Sequence, residues 1–335
     1  MRTVVGLSAL ALLCGCAQRQ QKNDLQQGGL KGKVKAVTES TFDGVDKYGS
    51  MEKGALQSTV ITQYNTHGNI VAQTEETPAA NGGKPLLLAQ YNYSYDDQQK
   101  RTEEDYTSDM RKLVWKLKYE YDDKNKEEHR FKYWGEGARL EAGYLAINQE
   151  NTDTHPDVFS RIRNLNRYVS LLPELIKQQY SEGSLDHKWV VKVDKDGNAA
   201  EEAMYKDNGE LLKKKVVTCD RNGNVLHEVT YHYPGNDADS IDNKYDGGNH
   251  VIERYGRFSQ DMIFQASYSY DEHGNKTKEI TSKPGGRTDS TTMQYQYDQQ
   301  GNWVKMVDVS YSVPASESMQ AQKQITVTER KIEYY

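Results

Sequence analysis

Tyr270-Asp271-Glu272-His273-Gly274-Asn275 and, 27 residues on, Tyr297-Asp298-Gln299-Gln300-Gly301-Asn302 decide how the rest of the chain is read. Each is a hairpin turn written in sequence. The aspartate can bond backbone amides at the start of the turn, the glycine supplies a positive φ, and the asparagine tolerates a similar geometry. Outward from this pair, the dipeptide recurs at Gly68-Asn69, Gly197-Asn198, Gly223-Asn224, Gly248-Asn249, Gly274-Asn275 and Gly301-Asn302, the last five separated by 26, 25, 26 and 27 residues. A fixed period of this length is the signature of a repeat architecture. Tyr64, Val193 and Cys219 begin looser copies, and units at Tyr95-Asp96-Asp97 and Tyr121-Asp122-Asp123 keep the step without the Gly-Asn. One residue type repeated at every turn reads as structure rather than as a set of catalytic aspartates.

Before each turn the aromatic and apolar residues alternate with period two, as in Tyr91/Tyr93/Tyr95, Trp115/Leu117/Tyr119/Tyr121, Trp189/Val191/Val193 and Met293/Tyr295/Tyr297, with Asn, Ser, Lys, Glu and Gln between them. That is a strand with one aromatic and one wet face. A second turn falls midway, for example at Lys206-Asp207-Asn208-Gly209 and Lys283-Pro284-Gly285-Gly286, so each period holds two strands joined as a meander. The composition agrees: Tyr supplies 24 residues and Phe only 5, and the mean hydropathy is −0.92. Thin layers of sheet with much wet area fit these values better than a thick core rich in Leu, Ile and Phe.

The N-terminus carries an address. Met1-Arg2-Thr3 is a short basic start, Val4 to Leu13 is an apolar run, and Leu13-Cys14-Gly15-Cys16 follows. The run is too short to span a bilayer as a helix. The segment resembles a bacterial lipoprotein signal with its lipobox. The resemblance implies removal of residues 1–15, acylation of Cys16 and, with Ala17 rather than an aspartate next, sorting to the cell outer membrane. Cys14 departs from the Ala or Ser usual at its lipobox position. Residues 16–29 are polar and rich in Gln, which predicts a flexible lipid-anchored tether.

The units Tyr270 to Asn275 and Tyr297 to Asn302 resemble the YD repeats of RHS-type proteins, and the chain is similar to short YD-repeat lipoproteins over about residues 60–135 and 188–335. Large RHS proteins build closed shells around a toxin from such repeats; this chain has few units and ends on a strand-like segment, Ile325 to Tyr335. The register jumps between Tyr121 and Val193, and the gap contains Val158, Ile162, Leu165, Val169, Leu172 and Ile176 at helical spacing. The expected fold is therefore mainly β: an antiparallel meander of YD-type hairpin repeats forming a curved or partly rolled sheet. Residues 30–335 make one domain with a helical insertion at about 154–180.

Candidate chemistry is sparse. The net charge of −6, with scattered basic residues, offers no footprint for a phosphate backbone, so nucleic acid is not an expected partner. Asp194-Lys195-Asp196-Gly197-Asn198 opens like a calcium loop, but Ala199 and Tyr205 stand where such a loop needs Gly and Glu. No histidine pair has metal-ligand spacing, and Cys219 reads as a small core residue rather than a nucleophile. Neither a metal nor a cofactor is implied. Asp239-Ser240-Ile241 and Asp289-Ser290-Thr291 resemble the acceptors of a bacterial O-glycosylation system, which makes Ser240 and Ser290 possible modification sites. The sequence thus points to a non-enzymatic, lipid-anchored envelope protein, a binding or scaffold module for another envelope protein. The alternative is a surface glycan-binding lipoprotein using its aromatic rows. A short array should leave an unpaired edge at residues 325–335, where a partner strand could add.

Overall fold

The computed structural model describes residues 23–79, 82–108, 112–136, 182–194, 198–235, 237–258, 262–283, 286, 288–313 and 322–335. Residues 1–15 and Cys16, the start of the expected tether, Gly197, and the expected helix at 154–180 lie outside them. One helical turn, α1 (Asp24–Gln27), precedes the strands. These are β1 (Val34–Lys47), β2 (Ser50–Tyr64), β3 (Ile70–Thr77), β4 (Leu86–Tyr95), β5 (Arg101–Ser108), β6 (Leu113–Asp122), β7 (Glu127–Trp134), β8 (Leu185–Val193) and β9 (Ala199–Lys206). The second half holds β10 (Leu211–Cys219), β11 (Val225–His232), β12 (Ala238–Tyr245), β13 (Val251–Phe258), β14 (Met262–Tyr270), β15 (Lys276–Ser282), β16 (Thr288–Tyr297), β17 (Trp303–Val313) and β18 (Gln322–Tyr334).

Every strand pairs antiparallel with its successor, as a meander requires, and the halves join where β9 pairs with β10. The last strand then returns to the first: Val37 faces Ile332 and Thr41 faces Thr328, while Val37 faces Thr62 of β2 on its other side. The 18-stranded sheet is consequently a closed barrel, not a curved or partly rolled sheet. The expected free edge does not exist, since β18 is hydrogen-bonded to β17 and to β1. The alternation of an open and of a closed meander is the same, so the sequence pattern could not separate them. Closure comes from accumulated bending. The register slips by a residue at the aromatic end of seven strands, at Tyr64, Tyr95, Val193, Cys219, Tyr245, Tyr270 and Tyr297. Each bulge bends its strand and increases its twist.

The tyrosine-bearing face is the inner one. Side chains converge on the concave side of a barrel and splay apart on the convex side. Arg130 and Glu202, in register with Tyr119 and Tyr121, keep 21% and 12% of their side-chain exposure, whereas Lys192 and Lys244 on the opposite face keep 53% and 72%. The N-terminal segment lies on the same face. Asn23 caps α1 in a reciprocal capping box with Gln26. Leu25 packs with Val34, Val37 and Tyr64 into a small core joined by Ile70, Ile332 and Tyr334. Asp24 accepts from the Ile70 amide at 2.7 Å and the Tyr95 hydroxyl at 3.2 Å, while the Lys31 amide reaches Asn302 Oδ1 at 2.7 Å. Eight residues thus run from the β3–β4 region to the β16–β17 turn, a chord across the concave side of the turn-bearing end. Residues 23–29, which fall in the stretch expected to be a flexible tether, are instead held in place, because a capped turn with a buried leucine can repay its ordering entropy.

Candidate functional site

Four of the six Gly-Asn turns, those at Gly68, Gly223, Gly274 and Gly301, share one geometry. Asp271 Oδ1 accepts the amides of His273 and Asn275, both at 2.9 Å, and Asp298 Oδ1 those of Gln300 and Asn302 at 2.9 and 2.8 Å. The residue three after the aspartate, or after Asn65 in the first copy, takes the left-handed conformation: Gly68, Gly223, Gly274 and Gly301 have φ of 84, 85, 82 and 78°. Gln99 occupies this place in a degenerate unit at 63°. Gly248-Asn249 is offset by one residue from the expected register. There Asn249 carries the positive φ, at 66°, and His250 stands where other repeats have asparagine, its amide bonded to Asp246. Counting three from Asp246, rather than searching for Gly-Asn, would have found this. Asn69 and Asn198 are buried in their turns, and both the amide and Nδ2 of Asn198 donate to Asp194, so the candidate calcium ligand serves as a turn cap.

The sequence reading did not foresee what the tyrosine hydroxyls do. Beyond the bulge, the first carbonyl of the next strand accepts a hydroxyl from the following repeat: Tyr95 to Ile70, Tyr121 to Arg101, Tyr245 to Val225, Tyr270 to Val251 and Tyr295 to Lys276, at 2.7 to 2.9 Å. Tyr297 and Tyr334 instead donate to the preceding aspartates, Asp271 and Asp298, and accept from Asn275 and Asn302. Phenylalanine could do none of this, which accounts for the excess of tyrosine. The signal was present as the tyrosine recurring with the turn.

Between the turn end and the opposite mouth, the inner face alternates rings with ions. Arg101 lies 4.4 Å over the Tyr93 ring and 3.4 Å from Glu104, which also accepts from the Tyr119 hydroxyl at 3.0 Å. Arg130 bonds Glu128 and approaches Glu202 at 3.7 Å. Burial raises the Glu104 carboxyl above its ordinary value despite Arg101 and Tyr119, and burial likewise raises the Tyr93, Tyr119 and Tyr121 hydroxyls. Nearer the mouth, Tyr91, Tyr106 and Trp115 form a ladder with centroids 5.1 and 5.4 Å apart, and Lys132 lies 4.3 Å over Trp134 while pairing with Asp186 at 3.0 Å. The inner carboxylates Glu104, Glu128 and Glu202 are each held by arginine, an arrangement that positions charge. Among the described residues, no group of three His, Cys, Asp or Glu side chains could hold a metal.

The outer face interleaves paired charges with exposed apolar and aromatic side chains such as Val216, Tyr231, Tyr255 and Tyr311. Cross-strand ion pairs join Lys116 to Glu103 at 3.0 Å, Glu201 to Lys214 at 2.8 Å and Lys244 to Glu253 at 2.7 Å, and a hydrogen bond joins His227 to Asp242 at 2.7 Å. Ser240 and Ser290 sit on this face in mid-strand, opposite Val229 and Arg257 and opposite Ile280 and Tyr311. Trp303 and Tyr311, eight residues apart on one strand, lie on opposite faces because the register slips after Trp303. Trp303 lies inward under the Arg330 guanidinium at 3.3 Å, whereas Tyr311 is exposed outside.

No protein-family model and no curated protein matches the sequence. Among solved structures, the chain is similar to a porin-like protein from Bacteroides uniformis, at 8% identity over 90% of this chain and 96% of that one, with a TM-score of 0.40. A porin-like protein from Bacteroides vulgatus matches at 10% identity over 76% and 95%, with a TM-score of 0.29. The structure of TcdB2-TccC3-TEV matches at 10% identity over 85% of this chain and 19% of that one, with a TM-score of 0.24. Likeness at this level has no bearing on function.

Proposed function

We propose that the protein is a lipid-anchored binding module of the cell envelope, a water-filled barrel that stands beside the membrane on its Cys16 anchor. It is not a pore through the membrane. The outer face carries this reading. A membrane-spanning barrel needs an outward apolar band about 25 Å tall, and an outward lysine or arginine near the bilayer midplane costs about 2–4 kcal/mol. Here Lys116, Lys214 and Lys244 point outward with their carboxylate partners. With the ring closed, recognition by strand addition has no edge to use. The inner face, lined by tyrosines, tryptophans and paired ions, supplies the binding surface in its place. Ser240 and Ser290, both on the outer face, remain the candidates for O-glycosylation.

The test combines fractionation with conductance. The Cys16→Ala chain should lose labelling by a fatty-acid probe and leave the membrane fraction as a folded soluble protein, and neither form should conduct ions across a planar bilayer. Single-channel currents from the purified chain would overturn the reading. So would unchanged acylation of the Cys16→Ala variant.

A further inference from the structure

On the inner face of β13–β16, a cavity of about 440 Å³ opens between Phe264, Tyr268, Arg254, Glu279, Lys283 and Asp289. That volume falls in the range of roughly 300–1,000 Å³ common for small-ligand sites. Two residues without bulk shape the cavity, Ala266 in its lining and Gly256 beneath the Phe264 ring. Ala266, 1% exposed, separates the rings of Phe264 and Tyr268. Gly256 faces Phe264 across the β13–β14 pair, and a Cβ there would fall within 2.8 Å of Phe264 Cζ. The glycine therefore lets the ring lie down on the backbone of its neighbour, presenting a flat aromatic surface where a standing side chain would otherwise project. Phe258 lies nearly parallel to it, 15° between planes with centroids 5.7 Å apart.

The walls are polar and already ordered. Arg254 donates to Asn243 Oδ1 at 2.9 Å, Lys276 pairs with Glu279 at 2.8 Å, Lys283 pairs with Asp289 at 2.7 Å, and the Ser312 hydroxyl donates to Asp289 at 2.6 Å. The two cations lining the cavity, Arg254 and Lys283, are matched by two carboxylates, Glu279 and Asp289. With Lys276 on Glu279 at the rim the site carries at most one cation beyond its carboxylates, too little for a phosphate, and a purely apolar ligand would strip water from four charged groups. A flat ring, flanked by carboxylates that accept from hydroxyls and by a fixed guanidinium that donates, matches a molecule with one face of C–H groups and a rim of hydroxyls.

We propose that this cavity is a binding site for a neutral saccharide, whose pyranose face lies on Phe264 and whose hydroxyls are met by Glu279, Asp289 and Arg254. The proposal rests on the reading of a water-filled lumen and names its ligand class. The site lies toward the mouth opposite the repeated turns, since Phe264 and Thr281 are both remote from the Asp271–Asn275 turn that joins their strands.

The test uses the full-length Cys16→Ala chain and saturation-transfer NMR with hexasaccharides of glucose, mannose, galactose and xylose, in α and β linkage where both exist. Hexagalacturonate serves as the anionic counterpart. At least one neutral hexasaccharide is expected to bind. Phe264→Ala should weaken it at least about tenfold, from lost burial and stacking, and Phe264→Tyr should stay within about threefold, because the ring is kept. Should Phe264→Ala fail to fold by far-UV circular dichroism, the isosteric Glu279→Gln takes its place with the same expected weakening. Binding of no neutral hexasaccharide, unchanged binding by the folded variant, or tighter binding of hexagalacturonate would each overturn the proposal. Those failures leave fractionation and conductance untouched, so they are distinguishable from failure of the tethered-barrel reading.

Discussion

Removing one hydroxyl, with Tyr334→Phe, tests whether the tyrosine of each repeat holds the turn before it. Tyr334 donates to Asp298 Oδ2 at 2.7 Å and accepts from Asn302 Nδ2 at 2.9 Å. Asn302 keeps the Lys31 carbonyl as a second acceptor at 2.9 Å, and Asp298 keeps two backbone amides, so neither group is orphaned. The net loss is that of one hydrogen bond to a charged group, worth about 1.5–3 kcal/mol. Both partners are partly exposed, which places the expected destabilisation at the lower end, near 1.5 kcal/mol. Tyr255→Phe is the control: Tyr255 is 40% exposed on the outer face, and its change should stay within about 0.5 kcal/mol. The pH dependence gives a second handle. Burial pushes the Asp298 carboxyl up, but Tyr334 and the amides of Asn302, Gln300 and Gly301 outweigh it and hold it below the ordinary value of 3.8. A depressed folded value means stability that is present above the unfolded value and lost as pH falls through the folded one. The variant lacks part of that contribution, so its deficit in urea unfolding should be constant near neutrality and shrink below about pH 4. Equal losses for Tyr334→Phe and Tyr255→Phe, or a deficit unchanged down to pH 2.5, would refute the role of the hydroxyl.

Two further outcomes follow from the turns. Gly274→Val places a β-branched residue at φ +82°, with its Cβ 2.9 Å from His250 Nε2, and should destabilise by more than about 1 kcal/mol in urea unfolding. Gly248→Ala should cost less than Gly274→Val, because at that turn Asn249 carries the positive φ; a larger loss at Gly248 would return the turn to the Gly-Asn register. Asp246 is held below its ordinary value by the His250 amide, Asp220 by turn hydrogen bonds that outweigh burial, and Asp271 by the Tyr297 hydroxyl and the turn amides, which likewise outweigh burial. Acid should therefore act on the turns first, and amide exchange near residues 220–224, 246–250 and 271–275 should accelerate as pH falls through the depressed values, relative to mid-strand amides; uniform loss of protection would contradict this.

Much of the fold was legible because hairpin chemistry is local. An aspartate, a left-handed residue and an alternating strand are all specified within a dozen residues, and they recur. Closure was not legible, because it depends on how strand number and bulge-induced twist accumulate around the ring. Nor was the pairing of β1 with β18, whose register is set by residues some 290 apart, as in Glu39 and Arg330. The cavity escaped notice for a related reason. Phe264, Gly256 and Asp289 mean nothing in sequence until registry sets a glycine against a ring, and neither Gly256 nor Phe264 belongs to the repeated turn.

The closed ring also changes what the N-terminal address implies. An array with free edges could meet a partner along its flank, in any orientation its tether allowed. Here residues 23–31 are fixed across the turn-bearing end, bonded at His67, Gly68, Ile70 and Asn302. A Cys16 anchor would sit only seven residues before Asn23, a span of at most about 25 Å when fully extended. An anchored barrel would consequently hold its turn end toward the lipid and its other mouth toward the aqueous side. The Trp115 ladder and the Phe264 cavity both lie toward that far mouth, where a polymeric ligand could approach without meeting the membrane. The segment of residues 23–31 and the Phe264 cavity thus lie toward opposite ends of one barrel.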